Sequence, residues 1–333
     1  MKILFYCPSK FNLNKKTTVS LGGVETLNLH LSKALAKLGY NVYLCTKCKK
    51  ISKRQKLVNI PISRIINGSK NLFFDYIISS NESKIFNKFK LSKKIFWMHN
   101  TLSLEKAFRK GKLISLLKNE INTVFVSKYL EQITSKSYLF NKRFIIPNFL
   151  SSEFEINKIN YNRKKIVVWS VQRQKGLNET LNMWIESIYP KNKDAKFYIF
   201  GVDKSKFKKF ETFYKKRNIF FFGKVSKVKL RNVYSNSSVM ICLGYDETFC
   251  LNAIEANSCG LPVFTFGKTA LSELIYNKKN GLIVDNFQKM SQAINHYLIS
   301  SSINKKAYID NSYKSSKKFQ LNRIIIYWKK LLK

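Results

Sequence analysis

Apolar residues in this chain come in short runs separated by longer amphipathic stretches, the spacing of alternating strands and helices. Lys2–Cys7 is a nearly unbroken apolar run, as a strand buried on both faces should be. A polar loop from Pro8 to Leu21 leads into Gly22-Gly23-Val24-Glu25. From there Val24, Leu27, Leu31, Ala34, Leu35 and Leu38 share one helical face, and Gly39 ends it. Further strands are expected at Asn41–Thr46, Asp75–Ser79, Lys94–Met98, Thr123–Val126 and Phe144–Ile146. A single helix is expected around Leu104–Lys118, and another begins at Ser127-Lys128-Tyr129. Pro147-Asn148 closes this half of the chain.

The second half repeats the pattern. Residues 148–164 have little apolar periodicity and read as a linker. Strands are expected at Lys165–Val171, Lys196–Phe200, Ile219–Phe222, Val239–Leu243, Val263–Phe266 and Gly281–Val284. Helices are expected at Leu177–Ile188 and from Ser226 through Tyr234. At 333 residues the chain can hold two α/β domains, each with its own core. The final segment, Ile324 to Lys333, is an amphipathic basic helix, suited either to a membrane surface or to packing on a domain.

The richest chemistry lies in Asp246–Val263, DETFCLNAIEANSCGLPV. An acidic turn follows one apolar strand, Leu251, Ile254, Ala256 and Ser258 suit a short helix, and Gly260-Leu261-Pro262 launches the next strand. Glu247 and Glu255 frame it with seven residues between them. Eight helical steps put such a pair about 80° apart and about 12 Å along the axis. Glu247 precedes the helix, so the two can grip opposite ends of one long polar ligand. The N–H groups of Phe249, Cys250 and Leu251 at the helix start would attract an anion between them. An anion flanked by two hydroxyl-accepting carboxylates describes a nucleotide-diphosphate sugar. The plain alternative is a surface helix with two solvated glutamates.

Glu-x-Phe-x-Leu-x-x-x-Glu-Ala followed by Gly-x-Pro-Val resembles the signature of family 4 (group 1) GT-B glycosyltransferases. The resemblance implies an α/β GT-B fold, with two Rossmann-like domains facing a central cleft. Its domains would be 1–147 for the acceptor, joined by a closing helix at about 317–333, and 165–316 for the nucleotide sugar. It implies that Glu247 contacts sugar hydroxyls and Glu255 the ribose. Cys250 stands where the family usually has glycine, which would narrow the sugar pocket. Gly22-Gly23 matches the glycine loop that closes over the donor diphosphate, although a tight turn alone would explain two glycines. His99 ends a strand where the family often has a histidine near the reacting sugar. In the turn Gln172-Arg173-Gln174-Lys175-Gly176, Arg173 and Lys175 would neutralise the leaving diphosphate. The family's Arg position, five before the Lys, is Ser170 here, so Lys175 is the firmer match. Backbone around Val225, in Gly223-Lys224-Val225, would meet the nucleobase.

The implied reaction is retaining transfer from a UDP- or GDP-sugar to a glycan or lipid-linked acceptor. No Asp-x-Asp metal motif occurs, so no metal or other cofactor is expected and the cations stand in for one. A non-catalytic basic binding protein on the same fold is the main alternative. A nucleotide-sugar epimerase would need further acid–base residues.

Net charge changes the picture most. It is +42, with 61 Lys and Arg against 19 Asp and Glu. Such a field draws an anionic membrane surface or a nucleic acid. The cations are 52 Lys to 9 Arg, and Arg is the usual reader of base edges, which argues against nucleic acid. Biased codon usage would produce the same lysines with no partner at all. Lys47, Lys49, Lys50, Lys53, Arg54 and Lys56 are the densest cluster. No apolar run approaches a transmembrane span, so a cytoplasmic protein, peripheral on a membrane at most, is expected. Cys45-Thr46-Lys47-Cys48 has metal-pair spacing but lacks a second pair, and His30, His99 and His296 are scattered.

Overall fold

Most strands are β-branched and aromatic runs with few charges and sit where the apolar pattern puts them; Ser52–Arg54 and Leu57–Pro61 are strands that the pattern does not announce. A computed structural model of the chain describes residues 1–11, 21–67, 73–170 and 176–333. Two units separate within it, Met1–Ser151 with Leu321–Lys333, and Ser152–Gln320. Each is a parallel sheet between helices, the α/β architecture of two Rossmann-like domains.

The first unit holds β1 (Lys2–Tyr6), β2 (Asn41–Thr46), β3 (Ser52–Arg54), β4 (Leu57–Pro61), β5 (Tyr76–Ser80), β6 (Lys93–Met98), β7 (Ile121–Phe125) and β8 (Lys142–Ile145). Their order across the sheet is β3-β4-β2-β1-β5-β6-β7-β8. Only β3 runs antiparallel, as an edge ribbon on β4. The helix Gly23–Lys37 buries Leu27, Leu31 and Leu35. The single helix expected around Leu104–Lys118 is two, Leu104–Arg109 and Leu113–Leu117. Gly111 between them has φ +62°, a left-handed turn that no continuous helix contains. The closing helix Leu321–Leu331 belongs to this unit, where buried Trp328 meets Trp97 edge to face at 4.8 Å.

The second unit holds β9 (Ile166–Ser170), β10 (Lys196–Phe200), β11 (Ile219–Gly223), β12 (Val239–Ile241), β13 (Val263–Thr265) and β14 (Gly281–Ile283), all parallel. Their order is β11-β10-β9-β12-β13-β14. The winding therefore reverses between β9 and β12, the switch point where doubly wound sheets leave a crevice at their carboxyl ends. Trp169, Phe197, Ile199, Ile241 and Phe264 form its core, with Leu177, Leu181 and Trp184 above them. Residues 152–164, expected within a linker, are part of this unit. Arg163 explains why: its guanidinium donates to the carbonyls of Tyr234, Ser237 and Cys259, capping the ends of two helices.

Candidate functional site

The switch point of the second unit gathers most of the predicted donor residues. Beyond β12 the chain makes a tight loop with positive φ at Gly244 (+86°), Asp246 (+57°) and Cys250 (+71°). Bonds that pin it include one from Thr269 Oγ1 to the Gly244 carbonyl at 2.8 Å and one from the Ala270 N–H to the Glu247 carbonyl at 3.2 Å. Glu247 is thus carried, half-buried, on a fixed loop just before the helix Leu251–Ser258. Asn252 ties that helix to the other side of the switch point by donating to the Ser170 carbonyl at the end of β9. Phe249 is buried edge-on to Phe319, and Leu251 opens the helix.

Cys250 departs from the expectation. Its thiol points into the core, 3.5 Å from the thiol of Cys242, and does not narrow an open pocket. What the missing glycine costs is backbone strain, because a side chain at φ +71° is disfavoured.

Glu255 is the most unusual group. It lies mid-helix, 2% exposed, on the face turned into the protein. Its Oε1 accepts from Lys227 Nζ at 2.5 Å, while Oε2 is buried with no hydrogen-bond partner. Burial pushes its carboxyl above the usual range, and Lys227 pulls it back down. Lys227 opens the helix Lys227–Asn236, which Ser226 caps by accepting from the Lys229 N–H. Its ammonium also stands 5.5 Å from the Phe154 ring centre. Sequence reasoning overlooked Lys227; only its place directly after the Gly223-Lys224-Val225-Ser226 turn pointed toward the site. Val225 is half-buried in that turn, at the carboxyl end of β11.

Arg173 and Lys175 lie outside the described residues. The next residue, Gly176, has φ +82° and abuts the Glu247 loop, since a Cβ there would lie 2.4 Å from Leu243 Cδ1 and 2.8 Å from Tyr245.

Gly22, Gly23 and His99 lie in the first unit. Its own winding reverses between β1 and β5. Gly22 precedes the helix Gly23–Lys37 in extended backbone, and the Glu25 carboxylate fills the space where a Gly22 side chain would project, 2.3 Å away. Glu25 accepts from Ser9 Oγ at 2.7 Å, and buried Asn28 bonds Ser80 Oγ at 2.8 Å. His99 is 5% exposed just past β6, its ring 4.6 Å from that of Trp97. Burial lowers its pKa to about 3, so it is neutral.

Residues 151–315 match the model of the glycosyl transferases group 1 family. The second unit is therefore a group 1 glycosyl transferase domain. Solved structures agree in fold. The chain is similar to sucrose-phosphate synthase from Thermosynechococcus elongatus, at 16% identity and TM-score 0.76, covering 99% of this chain and 98% of that one. WaaG, a glycosyltransferase involved in lipopolysaccharide biosynthesis, aligns at 12% identity and TM-score 0.75 over 99% of both chains. HepE from Anabaena, solved with UDP-glucose, aligns at 12% and 0.71, over 100% of this chain and 99% of that one. No curated protein matches in sequence. The group 1 glycosyltransferases use nucleotide sugars, and the Glu247–Glu255 segment lies inside the matched residues.

Proposed function

We propose that this group 1 glycosyltransferase moves a sugar from a UDP- or GDP-sugar to a glycan or lipid-linked acceptor, with retention and without a metal. The observation that carries the reading is Glu255: a buried carboxylate at a sheet's switch point, with one oxygen lacking any partner. An unmet buried acceptor costs about 1–3 kcal/mol, which a ribose hydroxyl would recover. Glu247, on its pinned loop, takes the sugar hydroxyls. The N–H groups of Phe249, Cys250 and Leu251 face the diphosphate, and the backbone at Val225 takes the base.

Arg173 and Lys175 follow β9 in the chain and supply positive charge to the departing diphosphate, where the transition state develops negative charge. With no nucleophilic side chain assigned, the leaving phosphate assists attack on the same face of the sugar. Gly22, Gly23 and His99 keep the donor-closing and sugar-side roles that the resemblance implies. His99, being neutral, serves there as a hydrogen-bonding partner and not as an acid. HepE, solved with UDP-glucose, makes UDP-sugars the first to try, and WaaG's place in lipopolysaccharide biosynthesis supports a lipid-linked acceptor. Lys47, Lys49, Lys50, Lys53, Arg54 and Lys56 are all exposed around β3, a face fit for an anionic membrane surface. Among the described residues, no helix is long and apolar enough to cross a membrane.

The test incubates the protein with UDP-glucose, UDP-N-acetylglucosamine and GDP-mannose plus lipid-linked and oligosaccharide acceptors, with and without chelator. Product anomers are read by NMR. Transfer with retained configuration that survives chelation is the expected result. Inverted product, chelator-sensitive transfer, or tight nucleotide binding without turnover would each overturn a named part of the proposal. Pelleting with anionic but not neutral vesicles tests the membrane face.

A further inference from the structure

Glu255 presents a physical problem of its own. A carboxylate 2% exposed gains little from water, and burial favours its neutral form. A neutral carboxyl offers one good acceptor and a competing O–H donor, which is poorly suited to a ribose diol that brings two donors. The ionised form accepts both. Something in the fold must keep the charge.

The groups facing Glu255 come from three elements. From Ser152–Phe154, Glu153 is a like charge that opposes ionisation. From the helix Lys227–Asn236, Tyr234 is buried with its phenol held neutral. At the end of Glu255's own helix, burial pushes the Cys259 thiol up to about 11, so it too is neutral. Among the described residues, Lys227 is the cation that acts on this carboxylate. It holds Oε1 at 2.5 Å and leaves the buried Oε2 without a hydrogen-bond partner. Lys227 is itself 21% exposed at its side chain and so keeps part of its hydration. Phe154 below the ammonium limits where it can swing.

We infer that Lys227 is a positioning residue for the nucleotide: it fixes the Glu255 carboxylate in one orientation and keeps it ionised, so that Oε2 stands ready for a ribose hydroxyl. The inference rests on the reading of Glu255 as the ribose acceptor. It predicts that nucleotide affinity depends on pH through Glu255, and that Lys227 sets the pH at which the dependence begins. Without the cation, Glu255 takes up its proton at higher pH, and affinity falls about tenfold for each pH unit below that shifted value.

Calorimetry with UDP and with GDP between pH 5.5 and pH 9, estimated as about the span needed for such a shift, tests this on Lys227→Met, Lys227→Arg and Glu255→Gln. The expected outcome is a fall in affinity that sets in at higher pH for Lys227→Met than for wild type. The Met variant should regain wild-type affinity at the alkaline end, which also shows that it is folded. Lys227→Arg should restore the wild-type profile, and Glu255→Gln should bind weakly with no profile. A Met variant that tracks wild type at every pH, while Glu255→Gln binds weakly, overturns the role of Lys227 and leaves the ribose reading standing. A Met variant weakened equally at every pH also overturns it, since that marks a structural prop. If Glu255→Gln binds as wild type does, the ribose reading itself fails.

Discussion

The two sheets share a topological device and equip it differently. In the first unit the winding reverses between β1 and β5, in the second between β9 and β12. At the first, the polar groups satisfy one another: Ser9 with Glu25, Asn28 with Ser80. At the second, Glu255 keeps an oxygen unpaired and a raised carboxyl, while a loop with left-handed residues carries Glu247 just ahead of the same helix. Topology supplies a crevice in both; what a crevice binds depends on which polar groups the chain leaves unmet there. By that measure the unmet Glu255 oxygen marks the second switch point for the nucleotide, while at the first Ser9, Glu25, Asn28 and Ser80 are already paired.

The sharpest way to test this division separates the two carboxylates of the second unit. Glu247→Gln keeps the loop's backbone bonds, which use the Glu247 carbonyl and not the side chain. Removing the carboxylate that holds the sugar hydroxyls at the reacting centre should lower the transfer rate by about 10²–10³. Nucleotide affinity, measured by calorimetry, should stay within about threefold, far less than the loss from a charged hydrogen bond of about 1.5–3 kcal/mol. A parallel drop in affinity would mean that Glu247 and Glu255 do not divide the donor between them.

The complementary experiment is on the first unit. Asn28→Ala removes a buried side chain that bonds Ser80 Oγ and the Val24 carbonyl. Leaving Ser80 unmet should cost about 1–3 kcal/mol in urea unfolding, with UDP affinity unchanged. Weakened nucleotide binding in a variant of undiminished stability would break the comparison, because it would extend the nucleotide contacts of the first switch point beyond Gly22 and Gly23.

Much of this layout was legible in the sequence because strands buried on both faces write themselves as apolar runs. Lys196–Phe200 and Asn41–Thr46 fall where the pattern put them. Interruptions were harder to read. Gly111 sits in a stretch with helical periodicity, and only its left-handed backbone shows that the helix ends there. The edge ribbon Ser52–Arg54 lies in the densest basic cluster, where no strand is expected, since one exposed strand has no apolar face to announce it. Lys227 was invisible for a different reason. Its partner is 28 positions away on another helix, and only the intervening strand crossover brings the two together. Glu247 and Glu255 stood out because their spacing is local.

Buried titratable groups sharpen the contrast by pH. Where Glu255 is given a cation, His99 is simply left neutral, its pKa lowered to about 3 by burial. The unfolded chain takes up this proton near pH 6.5 and the folded one does not, so stability falls as pH drops from about 6.5 toward about 3. At pH 5 the penalty from this one residue is about 2 kcal/mol. Urea midpoints at pH 7 and pH 5, a window of about two units around the unfolded pKa, should differ less in His99→Gln than in wild type. Equal losses in the two proteins would show that His99 protonates in the fold and is not the neutral group described.

The smallest effect concerns what the second unit spends to shape its loop. Cys250 holds φ +71° where the resemblance expects glycine. Two variants separate the thiol from the backbone. Cys250→Ala removes the sulfur that faces Cys242 but keeps a Cβ in the left-handed region. Cys250→Gly removes both the sulfur and the strain. At an ordinary helical position glycine is less stable than alanine by about 0.5–1 kcal/mol, through the freedom it adds to the unfolded chain. Here the left-handed penalty of about 1–2 kcal/mol on any Cβ should reverse that order. Cys250→Gly should therefore be more stable than Cys250→Ala by about 1 kcal/mol in denaturant unfolding. If alanine proves the more stable, the loop is not strained at Cys250, and the glycine of the family signature would answer to the ligand's approach instead of to the backbone.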